Sequence, residues 1–309
     1  MCQSISFNYL GTIMATSLNN KIKIWNFLNG KCDELTNLEG HQCYVTCLKF
    51  SNYQNTLFSS DHLIVIWKYT QLQCWKSFET KLGHKHNILC MILNKNENSL
   101  ITGGADYIIK VWSLDLENLM IKEQYLLNKH QDSVLSLDLN QSQNILVSCG
   151  EDRQIIIWRK EKQNQWYFSQ IVTQSFVDFG CRLAFLTDHK FIWVSSGESG
   201  QACLNEFEIQ DENFQENQNS TIYLQNKDDL SDYGLFPIVY NQLNEILVVK
   251  HKYSIYILKL TFDRGLIIVE EIRCQDLATF GILTNDGKFL IFWQNFEKQF
   301  YIYQLQGYK

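Results

Sequence analysis

His84-Lys85-His86-Asn87-Ile88-Leu89-Cys90-Met91-Ile92-Leu93 opens a stretch that runs on through Leu100-Ile101-Thr102-Gly103-Gly104-Ala105-Asp106 and closes with Ile109-Lys110-Val111-Trp112. It holds three short apolar runs separated by polar turns. Each run is too short for a stable helix and rich enough in β-branched residues for a strand. A His leads the first run, an Asp sits in the turn between the second and third, and a Trp ends the third. His84 and Asp106 are 22 residues apart, and Asp106 and Trp112 are six apart.

Outward from this stretch the arrangement repeats, and repeats of this length decide the fold. The pattern I-x-[IV]-W ends at Trp25, Trp67, Trp112 and Trp158, at spacings of 42, 45 and 46 residues. Six residues before each Trp stand Asn19, Asp61, Asp106 and Asp152, and His41, His84 and His130 lead the second, third and fourth units. A fourth run, such as Ile121 to Leu127, precedes the next His. Four short strands per unit, with no sustained 3.6-residue period, is an all-β signal.

Over residues 1 to about 160 these units resemble the WD-repeat family, whose blades are four-stranded sheets set around a channel. The resemblance implies that His84, Thr102, Asp106 and Trp112 form one hydrogen-bonded structural tetrad, and that His130, Ser148, Asp152 and Trp158 form another. A buried Asp requires donors, which an imidazole and a hydroxyl supply. There are departures. Asn26, Lys68, Ser113 and Arg159 stand where the family has an Asp after the Trp. The second unit is two residues shorter between His41 and Asp61, which leaves its hydroxyl unassigned, and the chain starts inside the first unit.

Beyond residue 160 the motif fades while the period persists. Placing Leu204, Leu258 and Tyr303 in the Trp column gives seven units, with approximate blades 1–38, 39–82, 83–127, 128–173, 174–226, 227–273 and 274–309. The expectation is a single domain, a seven-bladed β-propeller of WD-repeat type. The chain begins on a first strand and ends just after a third, so the last blade is expected to have three strands. Its edge, Phe300-Tyr301-Ile302-Tyr303-Gln304-Leu305, is aromatic and free of charge and Pro, which suits the addition of a strand from another segment.

Composition narrows the function. Hydrophobic residues make up 45% and charged residues 19%, enough for a sizeable core. A net charge of −6 argues against nucleic acid as the main partner. None of the ten cysteines forms a C-x-x-C pair, and Cys43 and Cys47 read as core thiols, so no metal site is expected. His84-Lys85-His86 reads as one tetrad His beside two solvated residues, and Asp228-Asp229-Leu230-Ser231-Asp232 as a solvated loop. No signal peptide or spanning run is legible, which suggests an intracellular protein, cytoplasmic or nuclear.

No phosphate loop, nucleophile elbow or H-E-x-x-H motif occurs, so the chain is read as no enzyme, with no cofactor and no small-molecule substrate. The family resemblance implies protein or peptide partners, bound on loops held by a rigid scaffold. In the family the third and fifth residues after the His, and the residue before the turn Asp, often contact partners. Here these are Tyr44, Thr46 and Ser60; Asn87, Leu89 and Ala105; and Ser133, Leu135 and Glu151, with Gln3 and Leu18 in the first unit. For Leu89 and Leu135 inward packing is the competing reading. An interaction scaffold heads the functional readings. A peptide or degron receptor, such as a ubiquitin-ligase substrate receptor, is the alternative, and a propeller enzyme comes third.

Overall fold

A computed structural model of the protein describes residues 2–161, 164–176, 178–196, 202–225, 232, 236–262 and 265–305. Among them are 27 strands in seven antiparallel sheets and no α-helix. No helix of the described residues is long and apolar enough to cross a membrane. Six sheets have four strands and the seventh has three, each a meander in chain order. In the third blade, for example, the strands run from inside outward as Ile88–Leu93, Ser99–Gly104, Ile109–Asp115 and Met120–Leu127.

The core is not one mass but seven apolar clusters, each between two neighbouring blades. Trp67 packs with Leu38 and Val45 between the first and second blades, and Trp112 with Phe58 and Ile66 between the second and third. Trp158 packs with Ile101 and Val111 between the third and fourth. The seventh cluster joins Phe7, Met14 and Phe27 of the first blade to Ile291 of the last, and so closes the ring. Edge-on contacts of Trp25 with Phe300 and of Phe27 with Phe289 cross the same seam at 5.5 and 5.7 Å. Each fully buried aliphatic side chain contributes about 1.5–3 kcal/mol of transfer free energy. A blade therefore depends on both neighbours.

The Trp column faces the preceding blade, and a recurrent irregularity lies beside it. The ladder between third and fourth strands shifts register just before Trp25, Trp112 and Trp158, and again just before Leu258. Leu258 and Tyr303 take the same orientation in the sixth and seventh blades. Leu204 does not. It packs toward the sixth blade, and Phe207 turns toward the fourth in its place. Side chains alternate along a strand, so a displacement of three residues reverses the face. The polar stretch after Gln210 is also strand: Asn213–Tyr223 is the eleven-residue outer strand of the fifth blade.

The seventh blade consists of Thr279–Leu283, Phe289–Gln294 and Gln299–Gln304. Leu305 donates its N–H to the Lys288 carbonyl at 2.8 Å. Pairs alternate along an antiparallel ladder, so Tyr303 and Tyr301 bond inward while Phe300, Ile302 and Gln304 turn their backbone groups to the open edge.

Candidate functional site

The upper rim of the ring is made by the loops before each first strand and the turns between second and third strands. Hydrogen-bonded tetrads hold these together. In the third blade Trp112 Nε1–H donates to Thr102 Oγ1 at 2.9 Å, Thr102 Oγ1 lies 2.8 Å from His84 Nε2, and His84 Nδ1 lies 2.7 Å from Asp106 Oδ1. The fourth blade repeats this through Trp158, Ser148, His130 and Asp152, at 2.9, 2.7 and 2.8 Å. The series closes with one assignment. Trp donates to the hydroxyl, the hydroxyl donates to Nε2 of a neutral imidazole, and Nδ1–H donates to the carboxylate.

Each Asp also accepts backbone N–H groups, from Lys85 at 2.9 Å to Asp106 and from Gln131 at 3.0 Å to Asp152. Burial opposes the ionisation of Asp106, but the bonds from His84 and Lys85 outweigh it and hold the carboxyl below its ordinary range. Burial also holds His84 below its ordinary range, keeping the ring neutral. Gly104 is required beside this network, because a Cβ there would come within 2.6 Å of His84 Nδ1.

The second blade has a tetrad as well, and its hydroxyl is Ser59. Trp67 Nε1–H donates to Ser59 Oγ at 2.8 Å, and His41 Nε2 is 2.6 Å from the same oxygen. In the first blade Trp25 donates to Thr16 at 2.9 Å.

A different device serves the fifth and sixth blades. Arg182 Nη1 meets Asp232 Oδ2 at 2.5 Å, and Lys250 Nζ bonds the other carboxylate oxygen, all three side chains being buried. Burial pushes the Asp232 carboxyl up, but Arg182 and Lys250 more than reverse this and hold it well below the ordinary range. Burial brings the neighbouring His251 down to about 4. Asp232 is therefore a buried ion-pair centre, not part of a solvated loop, while Asp228 and Asp229 lie outside the described residues. A lone Asp in a polar sequence gives no sign of partners 50 and 18 residues away.

Backbone bonds between loops then fix the rim. Ala105 N–H reaches the Asn87 carbonyl at 2.9 Å, Glu151 N–H the Ser133 carbonyl at 2.9 Å, and Ile88 N–H of the third blade the Asp61 carbonyl of the second at 2.7 Å. On this frame Tyr44, Asn87 and Glu151 are exposed, and Tyr44 retains 58% of its surface. Leu89, Ala105 and Leu135 are half-buried, with both leucines turned into the central channel. Thr46, Ser60 and Ser133 are buried, which corrects the reading of them as surface contacts. Thr46 explains why: its hydroxyl is spent on the Ser60 carbonyl at 3.1 Å and on the Ile88 carbonyl at 2.5 Å.

The channel also holds Lys49 and Asp138. Asp138 accepts N–H bonds from Phe185 at 2.7 Å and from Leu139 at 2.9 Å, yet burial pushes its carboxyl up to about 6.

Seven radial sheets packed face to face, with tetrads pinning one rim, define a β-propeller. The model of the WD domain, G-beta repeat, matches residues 32–68, 73–113 and 121–159. The described residues form a seven-bladed β-propeller that carries WD repeats between residues 32 and 159. Curated relatives match over short stretches. Mitochondrial division protein 1 of Saccharomyces cerevisiae is 33% identical over 86 residues, 27% of this chain and 12% of that protein. The Lissencephaly-1 homolog of Heterostelium pallidum is 33% identical over 109 residues, 35% of this chain and 26% of that protein. Nuclear distribution protein nudF 1 of Talaromyces marneffei is 30% identical over 97 residues, 30% of this chain and 20% of that protein. The matches thus span about a tenth to a quarter of the length of these relatives.

Proposed function

We propose that residues 1–309 act as one propeller unit, dividing into blades near the boundaries read from the sequence, and that the unit is a non-catalytic scaffold for protein or peptide partners inside the cell. The observation that carries this reading is the rim of the second to fourth blades. It presents Tyr44, Asn87 and Glu151 to solvent on loops fixed by three tetrads. Ordered loops lose little entropy on binding, and an exposed Tyr on a rigid frame is the type of anchor that carries interface energy.

The tetrad histidines support a non-catalytic reading, because both ring nitrogens of His84 and His130 are engaged in structural bonds. The names of the relatives refer to mitochondrial division and nuclear distribution, which supports an intracellular setting. The edge strand of the seventh blade, with Phe300, Tyr301, Ile302 and Tyr303 among its residues, is a second proposed contact, where an extended segment adds a strand. The scaffold reading is tested by affinity capture with the parent and with the triple variant Tyr44→Ala, Asn87→Ala, Glu151→Ala.

A further inference from the structure

The tetrad of the second blade is slack. His41 Nδ1 lies 3.3 Å from Asp61 Oδ2, against 2.7 and 2.8 Å for the same contact in the third and fourth blades. The connection from His41 to Asp61 is two residues shorter than its counterparts, and Asp61 is shared with other groups. Its Oδ2 accepts the Cys43 N–H at 3.2 Å. Its Oδ1 accepts the Leu63 N–H at 2.7 Å and stands 3.3 Å from His62 Nδ1. One donor atom each from Cys43, Asp61 and His62 lies within 4.8 Å of the other two. A cavity of about 100 Å³, bordered by Gly40, His41, Asp61 and His62, opens beside them.

We propose that Cys43, Asp61 and His62 bind a divalent metal of the zinc class on the rim of the second blade. A thiolate, an imidazole and a carboxylate together suit zinc and its borderline neighbours, whereas a thiolate is a poor ligand for magnesium or calcium. Tetrahedral zinc holds such ligand atoms roughly 3.3–3.8 Å apart. The approach still needed is short, and it falls on an exposed Cys43 and a His62 side chain that is 37% exposed. The buried Asp61 stays fixed, since a carboxylate oxygen accepts a second partner through its other lone pair. Neither tetrad alongside repeats this donor set: the corresponding residues are His86, Asp106 and Tyr107 in the third blade and Asp132, Asp152 and Arg153 in the fourth. Three protein ligands leave one position for water or for a donor from a bound partner.

The test is titration of the intact protein with Zn²⁺ and with Co²⁺ as an optical reporter, beside Cys43→Ser, His62→Gln and, as a control for the other exposed thiol, Cys74→Ser. The expected result is one metal per chain, a thiolate-to-cobalt charge-transfer band, and at least a tenfold loss of affinity in Cys43→Ser and His62→Gln but not in Cys74→Ser, at an unchanged melting temperature. Absence of the charge-transfer band, or affinity unchanged in both site variants, overturns the proposal. Should a variant fold poorly, alkylation of Cys43 in the parent decides the matter. Zn²⁺ slows it if the site exists, and an unaltered rate overturns the site.

Discussion

His84 Nδ1 lies 2.7 Å from Asp106 Oδ1 while Nε2 of the same ring lies 2.8 Å from Thr102 Oγ1, so one buried imidazole joins the entry loop of the third blade to its turn and its second strand. Replacing Asp106 with Ala leaves the His84 and Lys85 donors without an acceptor and is expected to cost about 1–3 kcal/mol. Trp112→Phe keeps most of the ring packing and removes one N–H, with an expected cost of about 1 kcal/mol from the lost hydrogen bond. Urea denaturation measures both. A midpoint for Asp106→Ala equal to that of the parent contradicts the assigned network.

The same pair sets an acid limit. The folded-state value of His84 lies below its ordinary 6.5, so the native state disfavours the protonated ring. Its contribution to stability is complete above 6.5 and declines as the pH falls through the folded value. Asp106 is likewise depressed, and its contribution is complete above its ordinary 3.8 and lost below it. The contribution of this pair should therefore be flat near neutrality, begin to fall below pH 6.5 and fall again below 3.8. In His84→Gln the first decline should shrink, as measured by the slope of midpoint against pH.

Asp138 behaves in the opposite sense. Its folded value is raised from 3.8 to about 6, so the stability it contributes is present below 3.8 and lost as the pH rises through about 6. Asp138→Asn keeps an acceptor for the Phe185 N–H and removes the charge. Relative to the parent, the variant should be more stable at pH 7 than at pH 4. A difference that is constant with pH contradicts an ionising carboxyl in the channel.

The legible part of this fold lies where periodicity and the tetrad residues coincide. Trp67, Trp112 and Trp158 are buried between blades because each must lie against the one before it, and that requirement leaves a fixed spacing in the sequence. Ser59 was hidden by the two-residue shortening before Asp61. Spacing alone sets Leu204 in the Trp column, whereas the side-chain alternation that places Phe207 there depends on register. The Arg182–Asp232–Lys250 cluster joins residues from separate blades, and no local pattern announces it. Thr46 and Ser60 illustrate a further gap: position in a repeat says which loop a residue occupies, not whether its hydroxyl is already satisfied by a carbonyl.

The open edge of the seventh blade makes a prediction about amides. The N–H groups of Tyr301 and Tyr303 bond inward, while those of Phe300, Ile302 and Gln304 face outward. Hydrogen exchange should be slow at the former and fast at the latter. Gln304→Pro removes an outward donor at an exposed side chain, which edge strands tolerate, so the unfolding midpoint should stay close to that of the parent. Addition of a partner strand should protect the three outward amides. Slow exchange at Ile302 in the isolated protein contradicts a free edge.

The claim on which the account rests is that the rim of the second to fourth blades binds protein. Quantitative affinity capture should compare the parent, the triple variant Tyr44→Ala, Asn87→Ala, Glu151→Ala, and a control triple, Tyr53→Ala, Leu72→Ala, Leu243→Ala, at exposed positions in turns at the other end of the sheets. All three proteins should melt at the same temperature. The account predicts that partners enriched by the parent fall at least tenfold with the rim variant and persist with the control. Partners that persist with the rim variant and disappear with the control would contradict it.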